Sequence, residues 1–330
     1  MISIDLSSSD AASRLVTAAS SGGEVRLHNG QVSLSAPLMV SPRTRILGEG
    51  PNCRLLFTSP GMGVSLAHDS ATNASGDSSL EGVTVATVAG GTGFTDAIEI
   101  QGGARQRVAD IIIEGAWSSG ITLDGAELCS IERVTFGNPG IGVWFADLTR
   151  AGGFTVGGAT NVNWLDRLHF TGPATPIRHD GGAGNSARRM YGVAPGPIIV
   201  RGGTGLVLEE YWGESPVGEL VRFEYVGDSR LVHIAPMLKR IRGGNGTSPL
   251  VTMSHLSVLK GLHLEGCVAT TSAALFSNTG AYLDGPVIDL GNQNWGTGTV
   301  FDAPHAGFTA VSVSAAYYNG TPFSAFDRIV

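Results

Sequence analysis

Cysteine, positive charge and long apolar runs are scarce in this chain of 330 residues, and the scarcity of each excludes a class of protein. No stretch reaches the roughly 18 consecutive apolar residues of a membrane-spanning helix, so we expect no membrane insertion. The three cysteines, Cys53, Cys129 and Cys267, lie among apolar residues, which indicates buried thiols rather than a disulfide framework or a metal knot. A net charge of -7 lacks the basic face that nucleic acid binding needs.

Targeting and linker signals are also missing. The first residues, Met1 to Ser7, contain no basic region followed by an apolar run, so we expect no signal peptide. Reduced thiols suit folding in a bacterial cytoplasm, while release by lysis or as part of a particle stays open. No Pro/Ser-rich linker or charge block divides the chain, which favours one elongated body that grows by addition of repeats.

Glycine and β-forming residues are abundant. The 48 glycines, with many Val, Ile, Thr and Ser residues, are typical of short strands joined by tight turns. A template apolar-x-x-apolar-x-apolar recurs along the chain at intervals close to one coil of a solenoid. Its copies start at Leu80, Val108, Ile131, Leu165, Leu259 and Phe308, with looser copies at Leu208, Leu231 and Leu283.

A second short strand follows each template by about a dozen residues, as in Gly120-Ile-Thr-Leu and Gly142-Val-Trp-Phe. The two series predict coils that stack in parallel about 4.8 Å apart, with apolar residues in the lumen and outward residues in surface ladders. We therefore predict an all-β fold, a single-stranded right-handed parallel β-helix of about ten coils.

The N-terminal segment begins with apolar residues at helical spacing behind Asp10, which predicts one short helix capping the open end of the solenoid. The order of this helix, then Gly22-Gly-Glu-Val-Arg-Leu, then Ile46-Leu-Gly-Glu-Gly and Leu55-Leu-Phe-Thr, resembles the start of the pectate-lyase-like superfamily of parallel β-helix proteins, which includes phage tailspikes. The resemblance implies the fold, a carbohydrate ligand and a tailspike-like homotrimer. The catalytic signatures of polygalacturonases and pectate lyases are absent, so no catalytic residue is carried over.

Three regions follow from these patterns. Residues 1–24 form the capping segment with its helix, residues 25–313 the parallel β-helix, and residues 314–330 an aromatic C-terminal cap or subunit contact. Two enlarged gaps interrupt the repeat, between Ala146 and Trp164 and between Thr171 and Pro197. Long insertions in a solenoid form a binding wall or a subunit contact, and these two are expected side by side.

Carboxylates follow the predicted strands near the gaps. Glycosidic hydrolysis needs two carboxylates across the scissile bond, and adjacent coils supply spacings of about 5 to 9 Å. The catalytic candidates are Asp147, Asp166, Asp180 and Glu209. The alternative for each is a solvated surface ladder or a turn cap.

Arginines and aromatic residues cluster around the second gap. Arginine forks fit the carboxylates or sulfates of acidic sugars, indole faces stack on sugar rings, and His179 or Tyr191 could accept a proton in a β-eliminating lyase. The substrate-binding candidates are Trp144, Arg178, His179, Arg188, Arg189, Tyr191, Arg201 and Trp212. Their structural alternatives are ion pairs and core packing. No cluster has metal-ligand spacing, so we expect neither a metal nor a cofactor.

Three functions fit these observations. The first is a spike of a phage or phage-like particle, made in the bacterial cytoplasm, that sits on the virion surface with other particle proteins and binds bacterial capsular polysaccharide. The second is a polysaccharide hydrolase or lyase, which such a spike can also be; the sequence leaves enzymatic activity undecided. A structural or adhesin module is the third. Closely opposed carboxylates in a groove would favour the enzyme, and aromatic groups without such a pair would favour the binding spike.

Overall fold

The computed structural model is a parallel β-solenoid of about ten turns with one short helix near the N-terminus, which confirms the predicted fold class. It describes residues 1–67, 76–146, 160–172, 175–224, 233–254, 257–279, 281–298, 310–314, 317–318 and 321–322. The chain divides into two compact units, Met1–Ala174 and Thr175–Val330. Most of the predicted C-terminal region, 314–330, lies outside the described residues, so its capping role stays a prediction.

The first unit contains the helix α1 (Ala11–Ser21) and fifteen strands. Its strands are β1 (Ile2–Asp5), β2 (Gly23–His28), β3 (Gly30–Leu34), β4 (Leu38–Val40), β5 (Thr44–Gly48), β6 (Cys53–Phe57), β7 (Val64–Ala67), β8 (Ser79–Glu81), β9 (Thr84–Thr87), β10 (Phe94–Gln101), β11 (Arg107–Glu114), β12 (Trp117–Asp124), β13 (Ser130–Gly137), β14 (Ile141–Ala146) and β15 (Trp164–Thr171).

The predicted N-terminal helix is confirmed, although its predicted cap is not. Asp10 occupies the N-cap position but makes no side-chain capping hydrogen bond. The helix buries Ala11, Leu15 and Ala19 against the first strands, and the carbonyl oxygen of Ala19 accepts a 3.0 Å hydrogen bond from the backbone of Ser41. Burial of the apolar helix face therefore holds the helix in place.

Each coil of the first unit has three faces rather than the two that the sequence patterns suggest. The first half of β11 pairs with β8 and its second half with β9, because β11 bends in the middle. The residue at the bend, Asp110, has a φ of 56°, and its counterparts Arg133 and Arg167 have φ values of 54° and 55°. The two adjacent x positions of the template therefore contain a left-handed bend in the strand. The bend allows the apolar residues before and after it to face the lumen.

Apolar columns fill the lumen of this unit. Parallel pairing stacks residues of successive coils directly on one another, and the rings of Phe136 and Phe170 stack with centroids 5.0 Å apart. Three buried columns run through the unit: Val25, Ile46, Leu80, Val108, Ile131 and Leu165; Val32, Leu55, Val85, Ile113, Phe136 and Phe170; and Leu38, Val64, Ile98, Ile121 and Val143.

The second unit is built from strands alone within its described residues. Its strands are β16 (Thr175–His179), β17 (Ser186–Val193), β18 (Ile198–Val200), β19 (Gly203–Thr204), β20 (Val207–Glu214), β21 (Val221–Phe223), β22 (His233–Ile234), β23 (Met237–Lys239), β24 (Arg242–Gly246), β25 (Val251–Met253), β26 (Val258–Glu265), β27 (Val268–Thr271), β28 (Phe276–Asn278), β29 (Tyr282–Leu290), β30 (Gln293–Asn294), β31 (Ala310–Ser314), β32 (Tyr317–Tyr318) and β33 (Thr321–Pro322).

The second predicted gap, between Thr171 and Pro197, is not an insertion, because regular strands occupy it. β16 and β17 lie within it, and β17 pairs with β20 through Ala187 and Leu208. Ala187 is fully buried at the position where other coils carry a larger residue. The small side chain hid this coil from the sequence pattern.

The repeat register also differs from the prediction at the template copy that starts at Leu259. Leu208 pairs with Leu238, and Leu238 pairs with Leu264. Leu259 instead pairs with His233 on the preceding face of the coil. Gly261, with a φ of 67°, makes a second left-handed bend whose flanking apolar residues have the same spacing as the template. The sequence pattern therefore assigns this copy to the preceding face of the coil.

The Phe136–Phe170 stack gives a direct test of the lumenal columns. Substitution Phe136→Ala should lower the free energy of unfolding by about 3–5 kcal/mol, because a fully buried ring leaves a cavity between coils. Phe136→Leu, which keeps most of the volume, should cost much less. Denaturant unfolding would measure both, and equal losses for the two variants would contradict the packing described.

Candidate functional site

A surface groove of about 640 Å³ lies in the second unit and crosses several coils. We name it the tryptophan groove because two exposed tryptophans line it. Its lining residues are Glu210, Tyr211, Trp212, Gly213, Glu214, Ser215, Arg240, Arg242, Gly243, Gly244, Val268, Thr270 and Trp295. Parallel stacking explains the groove, since equivalent outward positions of successive coils form one continuous surface.

Trp212 forms one wall of the groove and is 57% exposed. It follows the fully buried Tyr211 on β20, so strand alternation turns its indole outward. The ring of Tyr191, its neighbour on β17, meets it edge to face with centroids 5.4 Å apart. The position of the indole is therefore supported from the adjacent coil.

Trp295 lies at the other end of the groove and is 63% exposed. Its backbone N–H donates to the carbonyl oxygen of Ala269 at 2.8 Å, and its indole Nε1 donates to Gln293 at 2.8 Å. The buried Asn294 beside it accepts a 3.0 Å hydrogen bond from the backbone of Gly296. These bonds hold an exposed aromatic side chain at a defined place.

The floor between the two tryptophans carries no side chain at two positions. A Cβ on Gly243 would lie 2.7 Å from the carbonyl oxygen of Gly213, and one on Gly244 would lie 2.9 Å from that of Thr270. Both glycines have positive φ values, 152° and 139°. Only glycine fits this close approach of neighbouring coils.

The groove spans three inter-strand steps. Trp212 pairs with Arg242, Arg242 with Val268, and Val268 with Gln293, which is two residues before Trp295. Since parallel strands lie about 4.8 Å apart, the coils of the two tryptophans are separated by about 14 Å. A ligand that touches both indoles must therefore be extended.

The charged residues of the groove are mostly engaged. Arg240 donates to Glu209 and lies 3.2 Å from Glu210. The hydroxyl of Tyr191 donates to Glu214, and this hydrogen bond, together with the nearby negative charge, raises the pKa of the tyrosine above its ordinary value. Glu210 and Glu214 lie on the same strand, four positions apart.

Three of the candidates from the sequence lie at or beside this groove. Trp212 lines it, Tyr191 supports Trp212, and Glu209 holds Arg240 from the neighbouring position. Arg188 lies opposite Glu209 in the strand register, with Nε to Oε2 at 3.9 Å. Arg189 sits at the left-handed bend of its coil and is exposed.

A separate cluster of ion pairs contains Arg178, Asp180 and Arg201 in the same unit. Asp180 is fully buried, and Arg178 Nε donates to its two carboxylate oxygens at 2.9 and 2.8 Å. Arg201 lies 3.9 Å from Asp180 and donates to Glu224 at 3.1 Å. The oxygens of Asp180 are thus held by guanidinium groups inside the fold.

His179 lies in the core rather than on a binding surface. It is fully buried, with Nδ1 at 2.8 Å from the carbonyl oxygen of Gly202 and Nε2 at 3.2 Å from Asn185. Burial lowers its pKa to about 4. The nearby His233 is also buried. Its burial, and to a smaller extent the charge of His179, lower the pKa of His233 to about 4.

The remaining candidates belong to the first unit. Asp166 on β15 is half-buried and accepts a 3.1 Å hydrogen bond from Arg167. Trp144 on β14 is half-buried and pairs with Thr122. Asp147 lies outside the described residues, as does most of the first predicted gap, so its catalytic role stays a prediction.

Sequence reasoning missed most of the groove. Glu210, Glu214, Arg242 and Trp295 were not singled out, because the register of the coils after Leu208 was misassigned. The available signal was the outward position that follows each left-handed bend, since Trp212 and Arg242 both occupy it.

Two properties of the described ranges bear on alternative functions. Within them, no three or more His, Cys, Asp or Glu residues are arranged to hold a metal ion. None of the described helices is long and apolar enough to cross a membrane. The three cysteines are free and buried, as predicted, and burial raises the pKa of Cys129 to about 12.

Comparison with known proteins identifies similar solved structures but no family. No protein-family model and no curated sequence matches the chain. A catalytic domain of a GH87 alpha-1,3-glucanase in complex with nigerose has a TM-score of 0.63 at 13% identity, covering 96% of this chain and 68% of the other. The catalytic unit of the thermostable GH87 alpha-1,3-glucanase from Streptomyces thermodiastaticus strain HF3-3 has a TM-score of 0.60 at 12% identity, covering 97% and 69%.

A protein of Geobacillus virus E2, ORF18, also matches, with a TM-score of 0.43 at 9% identity over 98% of this chain and 63% of the other. That score is too low to support an inference. The likeness to the glucanase domains establishes the class of fold, a β-helix shared with polysaccharide-active proteins. At such identities it assigns no activity and no residue role.

The two buried histidines predict a pH-dependent stability. Their pKa values in the folded chain, about 4, lie below the ordinary value of 6.5, so the unfolded chain binds more protons between these limits. The free energy of unfolding should be highest above pH 6.5 and fall by up to about 3 kcal/mol for each histidine as the pH approaches 4. Denaturant unfolding at several pH values would measure this slope. His233→Leu should reduce it, and an unchanged slope in this variant would contradict the assignment.

Proposed function

We propose that this chain binds a bacterial surface polysaccharide along the tryptophan groove, as the spike of a phage or phage-like particle. The observation that carries the proposal is the pair of exposed indoles, Trp212 and Trp295, at 57% and 63% exposure in one groove. An extended ligand fits two platforms on coils about 14 Å apart. A polysaccharide is such a ligand.

Exposed tryptophan is costly unless a ligand or partner covers it. Each indole presents a large apolar surface to water, and burial of such surface stabilises a complex by about 25 cal/mol per Å². The apolar face of a sugar ring packs on an indole, while its hydroxyl groups need polar partners. Glu210, Arg242 and Thr270 supply such partners around the groove.

Binding is favoured over cleavage by the arrangement of the carboxylates. Glu209 and Glu210 both contact the same nitrogen of Arg240, and Glu214 accepts a hydrogen bond from the hydroxyl of Tyr191. A carboxylate held in this way is poorly placed to act as a general acid or a nucleophile, which favours binding.

Attachment to a particle rests on the sequence. The buried free thiols and the tailspike-like order of the first strands support a spike made in the cytoplasm. A homotrimer on the virion surface, in contact with other particle proteins, completes this proposal. Sedimentation of the full chain tests its oligomeric state.

A polysaccharide hydrolase or lyase is the second candidate. Its support is the likeness to catalytic domains of alpha-1,3-glucanases, whose structures contain nigerose or tetrasaccharides. Asp147, Asp166, Asp180 and Glu209 remain its candidate acids from the sequence. The likeness is one of fold, so the candidate depends on a measured activity.

Removal of either indole should weaken retention by bacterial surface polysaccharide by about tenfold or more, because each platform would lose its apolar contact. The variants are Trp212→Ala and Trp295→Ala, measured by affinity electrophoresis. Trp164→Ala is the matched control, since this tryptophan is 41% exposed but lies in the other unit. Unchanged retention in both groove variants would refute the binding site.

Incubation of the protein with a retained polysaccharide distinguishes the two candidates. We expect no oligosaccharide release, because the carboxylates at the groove are held by Arg240 and Tyr191. Release of oligosaccharides, or of unsaturated ends that absorb ultraviolet light, would instead establish a hydrolase or a lyase. In that case Asp166→Asn and Glu209→Gln would show whether those candidates act in the reaction.

A further inference from the structure

We infer that the tryptophan groove selects acidic polysaccharides, with the Arg242 guanidinium pairing to a carboxylate or sulfate on a sugar held between Trp212 and Trp295. This inference rests on the proposed function and specifies its ligand class. It depends on the place of Arg242 in the groove and on its lack of a partner. Both are features of the second unit alone.

Arg242 occupies one of the two coils between the aromatic platforms, the one next to Trp212. It pairs with Trp212 on one side and with Val268 on the other, and it lines the groove. Its side chain is exposed. A chain that rests on both indoles must therefore pass over or beside this guanidinium.

The other basic residues nearby are neutralised by acidic partners. Arg240 pairs with Glu209 and Glu210, and Lys239 lies 3.1 Å from Glu265. The side chain of Arg242, by contrast, forms no ion pair or hydrogen bond with any residue that the structure describes. It is the lining cation whose charge and donors remain available to a ligand.

The local backbone gives this guanidinium room. Gly243 and Gly244 follow it directly, and no side chain can be added at either position without a contact below 3.0 Å to backbone oxygen. The two residues that follow Arg242 therefore place no side chain next to its guanidinium. A side chain at either position would clash with the neighbouring coil.

The chemistry of the fork decides the ligand class. A guanidinium presents paired N–H donors in a plane, which match the two oxygens of a carboxylate or sulfate, and charge-assisted bonds of this kind are about twice as strong as neutral ones. Neutral sugars offer only hydroxyl groups to the same donors. The two acidic lining residues, Glu210 and Glu214, already have partners in Arg240 and Tyr191, so Arg242 is left to pair with the ligand.

The test uses an array of acidic and neutral bacterial surface polysaccharides probed with the full chain. Retained acidic members are then carboxyl-reduced or desulfated, which removes the charge, keeps the backbone and tells which anion is bound. The variants are Arg242→Gln and Arg242→Lys. Arg45→Gln is the matched control, since this exposed arginine belongs to the other unit and does not line the groove.

We expect retention of acidic members, with about tenfold or greater loss on removal of their charge. Arg242→Gln should weaken retention of the acidic polysaccharides by the same tenfold or more, and should not weaken retention of the neutralised polysaccharides any further. Arg242→Lys should fall between, because it keeps the charge without the fork, and Arg45→Gln should match the unsubstituted chain.

Equal retention of neutral members, or unchanged retention of acidic members by Arg242→Gln, would overturn the inference. If retention still requires Trp212 and Trp295 in that case, the binding function stands and only the ligand class is wrong. If no polysaccharide is retained, the proposed function fails together with the inference.

Discussion

Each coil of this solenoid must bend where its neighbour bends, because the hydrogen bonds between coils form only while the backbones run in register. The bend is made by a residue with positive φ, and in most coils this residue is not glycine. Arg133 and Arg167 occupy it in the first unit, and Arg189, Glu210 and Arg240 in the second. A left-handed residue of this kind costs about 1–2 kcal/mol. Burial of apolar residues on both sides of the bend and the continuous ladder offset that cost.

The bend also determines where a functional side chain can stand. Residues at the bend point outward, so their charges meet along the stack, as in the fork between Arg133 and Asp110 with both N···O distances at 2.6 Å. Two positions later the chain again presents a side chain to solvent. Trp212 and Arg242 occupy this position in adjacent coils, and the bare backbone of the next residues opens the groove beside them.

Many details of the fold could be predicted because a solenoid repeats a local pattern. The templates at Leu80, Val108, Ile131 and Leu165 pair with one another in the first unit as their spacing indicates. The pattern failed where its assumptions did not hold. A small residue, Ala187, fills a lumenal position and hid a coil.

The amino-acid sequence by itself determined the fold class, the N-terminal helix and the buried free thiols, because each depends on local periodicity or on polarity. The candidate site was decided only by tertiary structure. Trp212 and Trp295 line one groove because the combined length of all the intervening turns and strands places them in register. A local sequence pattern does not contain that combined length. Burial likewise separated His179 and Asp180, enclosed by the fold, from Trp212, which remains on the surface. Residue type alone would allow each of these side chains to be buried or exposed. Packing decides which of them a ligand can contact.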